Sequence, residues 1–178
     1  MSILKIARIG NPILFKKAKL IDKIKANELK RLILDMSETL IDANGIGLAA
    51  PQVHISKRII IYRDPLEESK NNDKKIDINV LINPSYKKDG DETNDDWEGC
   101  LSIPGMLGKV RRFKKIIFKG SSISGKIIKK KAEGLHARII QHECDHLDGI
   151  LYTQKLVDPT AFGSSQEIRK IMQNEKEK

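Results

Sequence analysis

The sequence predicts an α+β protein, in which mixed or antiparallel β-sheets pack around a central helix and a further helix lies at the C-terminus. Two long segments, 27–43 and 133–148, repeat apolar residues at the three- and four-residue spacing of helices. Short apolar runs bounded by polar, turn-rich segments indicate strands. The 178 residues contain no internal repeat and no linker that would divide them, so we expect one domain over 1–178.

The first predicted helix follows Asn27, whose side chain can cap it, and ends where Gly45 and Gly47 break the pattern. Its apolar stripe consists of Leu29, Leu32, Ile33, Met36 and Leu40. Buried strands are predicted at RIIIY (58–62) and NVLIN (79–83), with a charged surface loop over 64–77 between them. We expect a second polar loop over 87–96, whose acidic residues lack the spacing of a calcium-binding loop.

In the second half of the chain, VRRFKKIIFKG (110–120) and GKIIKKK (125–131) predict a strand, a turn and another strand, with lysines facing solvent. EGLHARIIQHECDHLD (133–148) predicts the central helix. The last segment, SSQEIRKIMQNEKEK, predicts a short amphipathic helix within a partly mobile tail over about 160–178.

Composition places the chain among soluble globular proteins, with 39% hydrophobic and 32% charged residues. It has no run of 18 apolar residues, and its N-terminus lacks the features of a signal or transit peptide. We therefore expect a cytoplasmic protein that does not contact a membrane. The net charge of +9 permits attraction to RNA, but no RNA-binding motif accompanies it, so we expect solvated lysines and no specific nucleic-acid partner.

The stretch QHECDHLDG (141–149) predicts a metal site on the central helix. Because each helical residue turns by about 100°, His142 and His146 lie about 40° apart and one turn along, so both rings can reach one ion. Glu143 lies beside that position, which is the HExxH arrangement of two ligands and a proton carrier. Leu135 and Ile139 stack below His142 and would form an apolar wall. The alternative interpretation is a pair of partly buried, hydrogen-bonded histidines.

Several groups compete to be the third ligand. Cys144 lies about 200° around the helix from His142 and is expected to be a buried apolar thiol. His136 is almost two turns away, and His54 stands alone after a loop. A carboxylate is a common third ligand for this motif. Cys100, in the tight segment WEGCLSIPG (97–105), is an equally good candidate, so geometry leaves both open.

Three stretches occur in the order found in one family: GIGLAAPQ (45–52), EGCLS (98–102) and QHECDHLDG (141–149). Together they resemble the peptide deformylases, and similarity continues in ILKIARIGNPILFKKAK and VLINPSY. The resemblance implies that Cys100 is the third ligand beside His142 and His146. It also implies Fe²⁺ as the metal, with Zn²⁺, Ni²⁺ or Co²⁺ able to substitute, whereas the ligand set alone fits zinc equally well.

The resemblance further implies removal of the formyl group from the N-formylmethionyl end of nascent polypeptides. Metal-activated hydroxide would attack the formyl carbon while Glu143 carries the proton. The Gln52 amide and the Leu101 N–H would stabilise the oxyanion. The peptide would add as a strand beside Gly45, Ile46, Gly47 and Leu48, with its methionine side chain between Ile46, Leu135 and Ile139. An ion pair between Glu98 and Arg112 would fix the ligands.

Three alternatives remain open on sequence. A zinc metalloprotease of the HExxH type would need a later ligand, but His146 is the last histidine. Departures from the family pattern at Asn44, Arg111 and His136 motivate a deformylase-like protein with weak or altered substrate preference. The basic charge motivates a ribosome- or RNA-associated module with a structural metal, which would require a closed four-ligand site. A basic enzyme could also contact the ribosome transiently through its C-terminal helix.

Overall fold

The computed structural model describes residues 2–22, 26–64 and 77–176. Within them, the α-helices are α1 (Ala26–Asp42), α2 (Gly134–Leu147) and α3 (Ser165–Lys176). Short 3₁₀ helices occur at Pro12–Phe15, Ala50–Val53 and Tyr152–Gln154. None of the described helices is long and apolar enough to cross a membrane.

Eight strands form two antiparallel sheets in the described part of the chain. They are β1 (Gly47–Ala49), β2 (Ile59–Arg63), β3 (Ile78–Lys88), β4 (Thr93–Cys100), β5 (Ile103–Phe113), β6 (Lys115–Ser121), β7 (Ile127–Glu133) and β8 (Phe162–Ser164). The larger sheet has the order β1-β2-β3-β6-β7, and the smaller has the order β4-β5-β8. Each neighbouring pair is antiparallel, so the predicted α+β class with antiparallel sheets is confirmed.

The larger sheet separates two apolar cores. Successive side chains of a strand point to opposite faces, and β2 follows this rule with every residue from 59 to 62 buried. Ile60 and Tyr62 join the core that contains α2, whereas Ile59 and Ile61 join the core that contains α1. Helix α2 contributes residues at helical spacing to the first core: Ala137, Ile140, Cys144 and Leu147. Both helices therefore fix the position of the sheet.

Helix α2 also contacts the smaller sheet, through polar side chains. The Gln141 amide accepts from the Phe113 N–H at 3.1 Å and donates to the Phe113 carbonyl at 2.9 Å, where β5 ends. Arg138 donates to the Val110 carbonyl on the same strand at 3.0 Å. Because it packs on one sheet and hydrogen-bonds to the other, α2 is the central helix that the sequence predicts.

Three predictions about individual elements are wrong, and a fourth falls mostly on residues that the structure does not describe. The first helix already includes Ala26, so Asn27 lies in its first turn rather than capping it. The predicted loop over 87–96 narrows to a short turn, because β3 extends to Lys88 and β4 begins at Thr93. The predicted strand 110–120 is divided at Lys114 between β5 and β6, which belong to different sheets. Most of the predicted loop over 64–77, residues 65–76, lies outside the described residues.

Candidate active site

Helix α2 and the end of β4 bring three metal-ligating side chains together. The ring centroids of His142 and His146 lie 4.9 Å apart, as expected for positions one turn apart. Cys100 Sγ lies 3.2 Å from His146 Nε2. One potential ligand atom from each of the three residues lies within 4.8 Å of the other two. Two imidazoles and a thiol at this separation are a donor set that suits a divalent transition metal.

The ring orientation of His142 is fixed by a carboxylate on β4. His142 Nδ1 lies 2.8 Å from Oε2 of Glu98, a buried residue of β4. An ionised carboxylate only accepts hydrogen bonds, so Nδ1 carries a hydrogen and, in the neutral imidazole that a metal requires, Nε2 holds the lone pair. That is the tautomer in which Nε2 can bind a metal. The group that orients the histidine therefore fits a metal-binding site.

Glu98 is held in its ionised form by a cluster of donors. Arg112 donates through Nε and Nη2, each at 2.9 Å, and Arg138 donates through Nη1 at 2.7 Å. Burial raises the pKa of Glu98, but the hydrogen bonds from Arg112 and His142 outweigh it and hold that pKa well below its usual range. The contact between Glu98 and Arg112 that the family resemblance predicts is present.

The Cys100 thiol has a comparable environment. Burial raises its pKa, but the charges and hydrogen bonds of His146 and His142 outweigh burial and lower that pKa well below the usual value. The Ser102 N–H points at the sulfur from 3.4 Å. Both effects favour the thiolate, which is the metal-binding form of cysteine.

Gln52 is buried beside the sulfur with a defined orientation. Its Oε1 accepts from the Ala49 N–H at 2.8 Å, so its amide NH₂ faces the site. That NH₂ donates to Ser102 Oγ at 3.2 Å and to Cys100 Sγ at 3.4 Å. A fixed donor pair next to a sulfur that could bind a metal is suited to stabilising negative charge.

Glu143 and His146 are the two site residues, within the described part of the chain, that have a buried polar atom without a hydrogen-bond partner; in His146 that atom is Nδ1. Glu143 is 4% exposed, and its Oε2 is a buried oxygen with no hydrogen bond to any described residue. Burial is the main reason that its pKa is raised to about 7, although His142 and His146 act in the opposite direction. A buried carboxylate normally has a donor. The missing donor here is what a water molecule or substrate proton would supply.

Gly47 makes room for that carboxylate. A Cβ added to Gly47 would lie 2.2 Å from Glu143 Oε1, closer than any real contact. At Gly45, an added Cβ would lie 2.7 Å from Leu40 Cδ1 and 2.9 Å from Leu101 Cδ1. At both positions an added Cβ would force a neighbouring side chain to shift, a reason for glycine that sequence patterns did not reveal.

The predicted substrate-pocket residues differ in exposure. Ile46 and Leu135 are about half exposed, at 49% and 52%. Ile139 is buried in the core that α2 forms with the larger sheet, and the side chain of Leu48 is buried in the core of α1. Leu48 can therefore contribute to a peptide site through its backbone only.

Residues that were expected to stay out of the metal site do so. Cys144 is 2% exposed in the core, and burial raises its pKa to about 12. His136 Nδ1 lies 3.4 Å from Asp64, and its ring packs on Tyr62 and Phe118.

Sequence reasoning missed other residues that support the site. They are Ser102, Arg138, Asp145 and Lys155. Arg138 and Asp145 sit four residues before and three residues after His142, on the same side of the helix, which is the one signal that could have identified them.

Comparison with known proteins agrees with this geometry. The sequence model of the family described as polypeptide deformylase matches residues 3–161. Peptide deformylase 1 of Nitrosomonas europaea is 40% identical over 164 residues, which cover 89% of this chain and 90% of that protein. The peptide deformylase of Dictyoglomus thermophilum is 44% identical over 162 residues, with coverages of 89% and 95%.

A solved structure gives the same result. The class I type b peptide deformylase of Acinetobacter baumannii, in its Met-Ala-Ser-bound form, superposes with a TM-score of 0.77. That form is 34% identical and covers 87% of this chain and 100% of the other. On these matches and on its ligand set, the chain belongs to the peptide deformylase family.

Proposed function

We propose that this chain hydrolyses the N-formyl group of N-formylmethionyl peptides in the cytoplasm, with Glu143 as the proton carrier. One observation supports this most: the Glu143 carboxylate is buried and has an oxygen without a partner, in the residue next to one metal-ligating histidine. A purely structural metal site has no use for such a group.

The residues that would hold the metal are Cys100, His142 and His146, through Sγ and the two Nε2 atoms. A divalent ion at this position supplies Lewis acidity, which lowers the pKa of water and polarises a carbonyl. We propose Fe²⁺ as the ion in the cell, with Zn²⁺, Ni²⁺ or Co²⁺ able to substitute. Three protein ligands leave room for water or substrate, unlike a closed structural site.

Glu143 would take a proton from the attacking water and deliver it to the nitrogen of the departing amine. Gly47 keeps the space that this carboxylate occupies. Gln52 would donate from its amide NH₂ to the developing oxyanion, together with the Leu101 N–H. One such donor contributes about 2.7–4 kcal/mol to the transition state.

Strand β1 would receive the peptide. It lies at the edge of the larger sheet, with β2 as its neighbour. The Arg63 N–H bonds to the Ile46 carbonyl, so alternation along an antiparallel pair turns the N–H and C=O of Gly47 away from β2, toward the open edge. A peptide could pair there by strand addition. Half-exposed Ile46 and Leu135, with Ile139 behind them, would line the methionine pocket.

The Met-Ala-Ser complex of the Acinetobacter baumannii relative supports a substrate that begins with methionine. The corresponding experiment is anaerobic release of formate from formyl-Met-Ala-Ser, with metal content measured on the same samples. Glu143→Ala should retain metal but lose activity, whereas Glu167→Ala on the exposed face of α3 should match the wild type. Absence of formate release from the metal-loaded wild type would overturn the proposal.

A further inference from the structure

A continuous series of charged side chains connects His142 to a lysine near the surface. Glu98 contacts His142, and Arg112 donates two hydrogen bonds to Glu98. The third nitrogen of Arg112, Nη1, donates to Asp145 Oδ2. Lys155, directly after the last 3₁₀ helix, donates to Asp145 Oδ1 at 2.7 Å. We call these residues, from Lys155 to Glu98, the charged relay.

Each residue of the charged relay fixes the side-chain orientation of the next through its hydrogen bonds. Arg112 uses Nε, Nη1 and Nη2, so its planar guanidinium cannot turn without breaking a bond to Glu98 or Asp145. Asp145 has one oxygen on Arg112 and the other on Lys155. The side chains of Glu98, Arg112 and Asp145 are 4%, 3% and 7% exposed, so water cannot readily replace a lost partner.

Lys155 differs from the other members because its side chain is 34% exposed. Replacing Lys155 removes one of the two cations that donate to Asp145, and Arg112 is then its remaining cationic partner. Arg112 would then be drawn toward Asp145 and away from Glu98, since a buried carboxylate needs compensation. Glu98 would then keep Arg138 as its other arginine donor, and its orientation toward His142 would be less firmly fixed.

We infer that Lys155 and Asp145 are positioning residues of the metal site, acting through Arg112 and Glu98 on the ring of His142. The inference deepens the proposed function, since it rests on His142 as a metal ligand. Neither residue contacts a ligand atom, so their effect would be on the geometry and affinity of the site rather than on the reacting atoms. Groups that orient ligating histidines typically change metal affinity by about 10- to 100-fold.

The test uses the full chain, freed of metal and titrated with Co²⁺ against a chromophoric chelator under anaerobic conditions. Lys155→Met should weaken Co²⁺ binding about tenfold and shift the visible d–d bands, which report ligand geometry. Lys155→Arg should retain the wild-type Co²⁺ affinity and the wild-type d–d bands. Lys131→Met is the matched control, because Lys131 pairs with Asp89 at 2.8 Å on a remote surface.

A double variant tests the route of the effect. If Lys155 acts through Asp145, adding Lys155→Met to Asp145→Asn should weaken binding no further than Asp145→Asn does alone. A Lys155→Met protein with wild-type affinity and bands would overturn the inference, and so would one that only melts at a lower temperature. If the wild-type chain does not bind Co²⁺, or binds it without a thiolate-to-metal band, the proposed function is overturned as well. The wild-type titration therefore distinguishes failure of the proposed function from failure of this inference alone.

Discussion

Replacing Gly47 with alanine would place a methyl group where the Glu143 carboxylate now lies. The new Cβ would be 2.2 Å from Oε1 and 2.8 Å from Cδ, whereas real Cβ atoms essentially never approach within 3.0 Å. The carboxylate must therefore shift by about 0.8 Å or more, the difference between these limits. Misplacing a reacting group by about 1 Å can cost about 100-fold in rate, or about 2.7 kcal/mol.

The expected result for Gly47→Ala is a kcat for formate release that falls about 100-fold, with metal content unchanged. Stability should change little, since the overlap is with the end of a flexible side chain and Gly47 has no left-handed φ. Gly163→Ala is the control, because its Cβ would meet Ile168 at ordinary distances of 3.5 and 3.7 Å. A Gly47→Ala enzyme with wild-type kcat would refute the reasoning that Glu143 acts from its present position.

Two further results are expected. In the metal-free protein at pH 7.5, a thiol reagent should modify Cys100 alone, because Cys144 is buried and burial raises its pKa to about 12. Bound metal should protect Cys100 from the reagent. Rapid modification of both thiols would contradict this prediction. The folded-state pKa of Glu98 is lowered, so its contribution to stability is present above the unfolded carboxyl pKa of about 4.3 and is lost as the pH falls below it. Urea midpoints between about pH 3 and 6 should therefore fall more steeply for the wild type than for Glu98→Gln, and parallel slopes would count against an ionised Glu98.

The helix that carries the histidines could be predicted because its signal is local. One turn of helix places His142 and His146 together whatever the rest of the chain does. Cys100 could not be chosen over a carboxylate from spacing alone, since its position depends on where β4 ends. Only the family resemblance indicated it.

Strand β4 was missed because its sequence, TNDDWEGC, lacks the apolar alternation of a half-buried strand. Its most buried residue is Glu98, which is compensated by arginines from β5 and α2. The division at Lys114 was missed for a related reason: no glycine or proline marks the point where the chain leaves one sheet for the other. Such features depend on partners distant in sequence, which hydrophobic periodicity does not report.

Glu98 and Cys100 come from β4 of the smaller sheet, whereas the histidines come from a helix whose apolar side packs on the larger sheet. An ion bound to all three ligands would consequently act as a cross-link between the two halves of the fold, much as a disulfide does in a secreted protein. Chelation would then do more than stop catalysis. It would remove that cross-link, and the metal-free chain would become a better substrate for proteases.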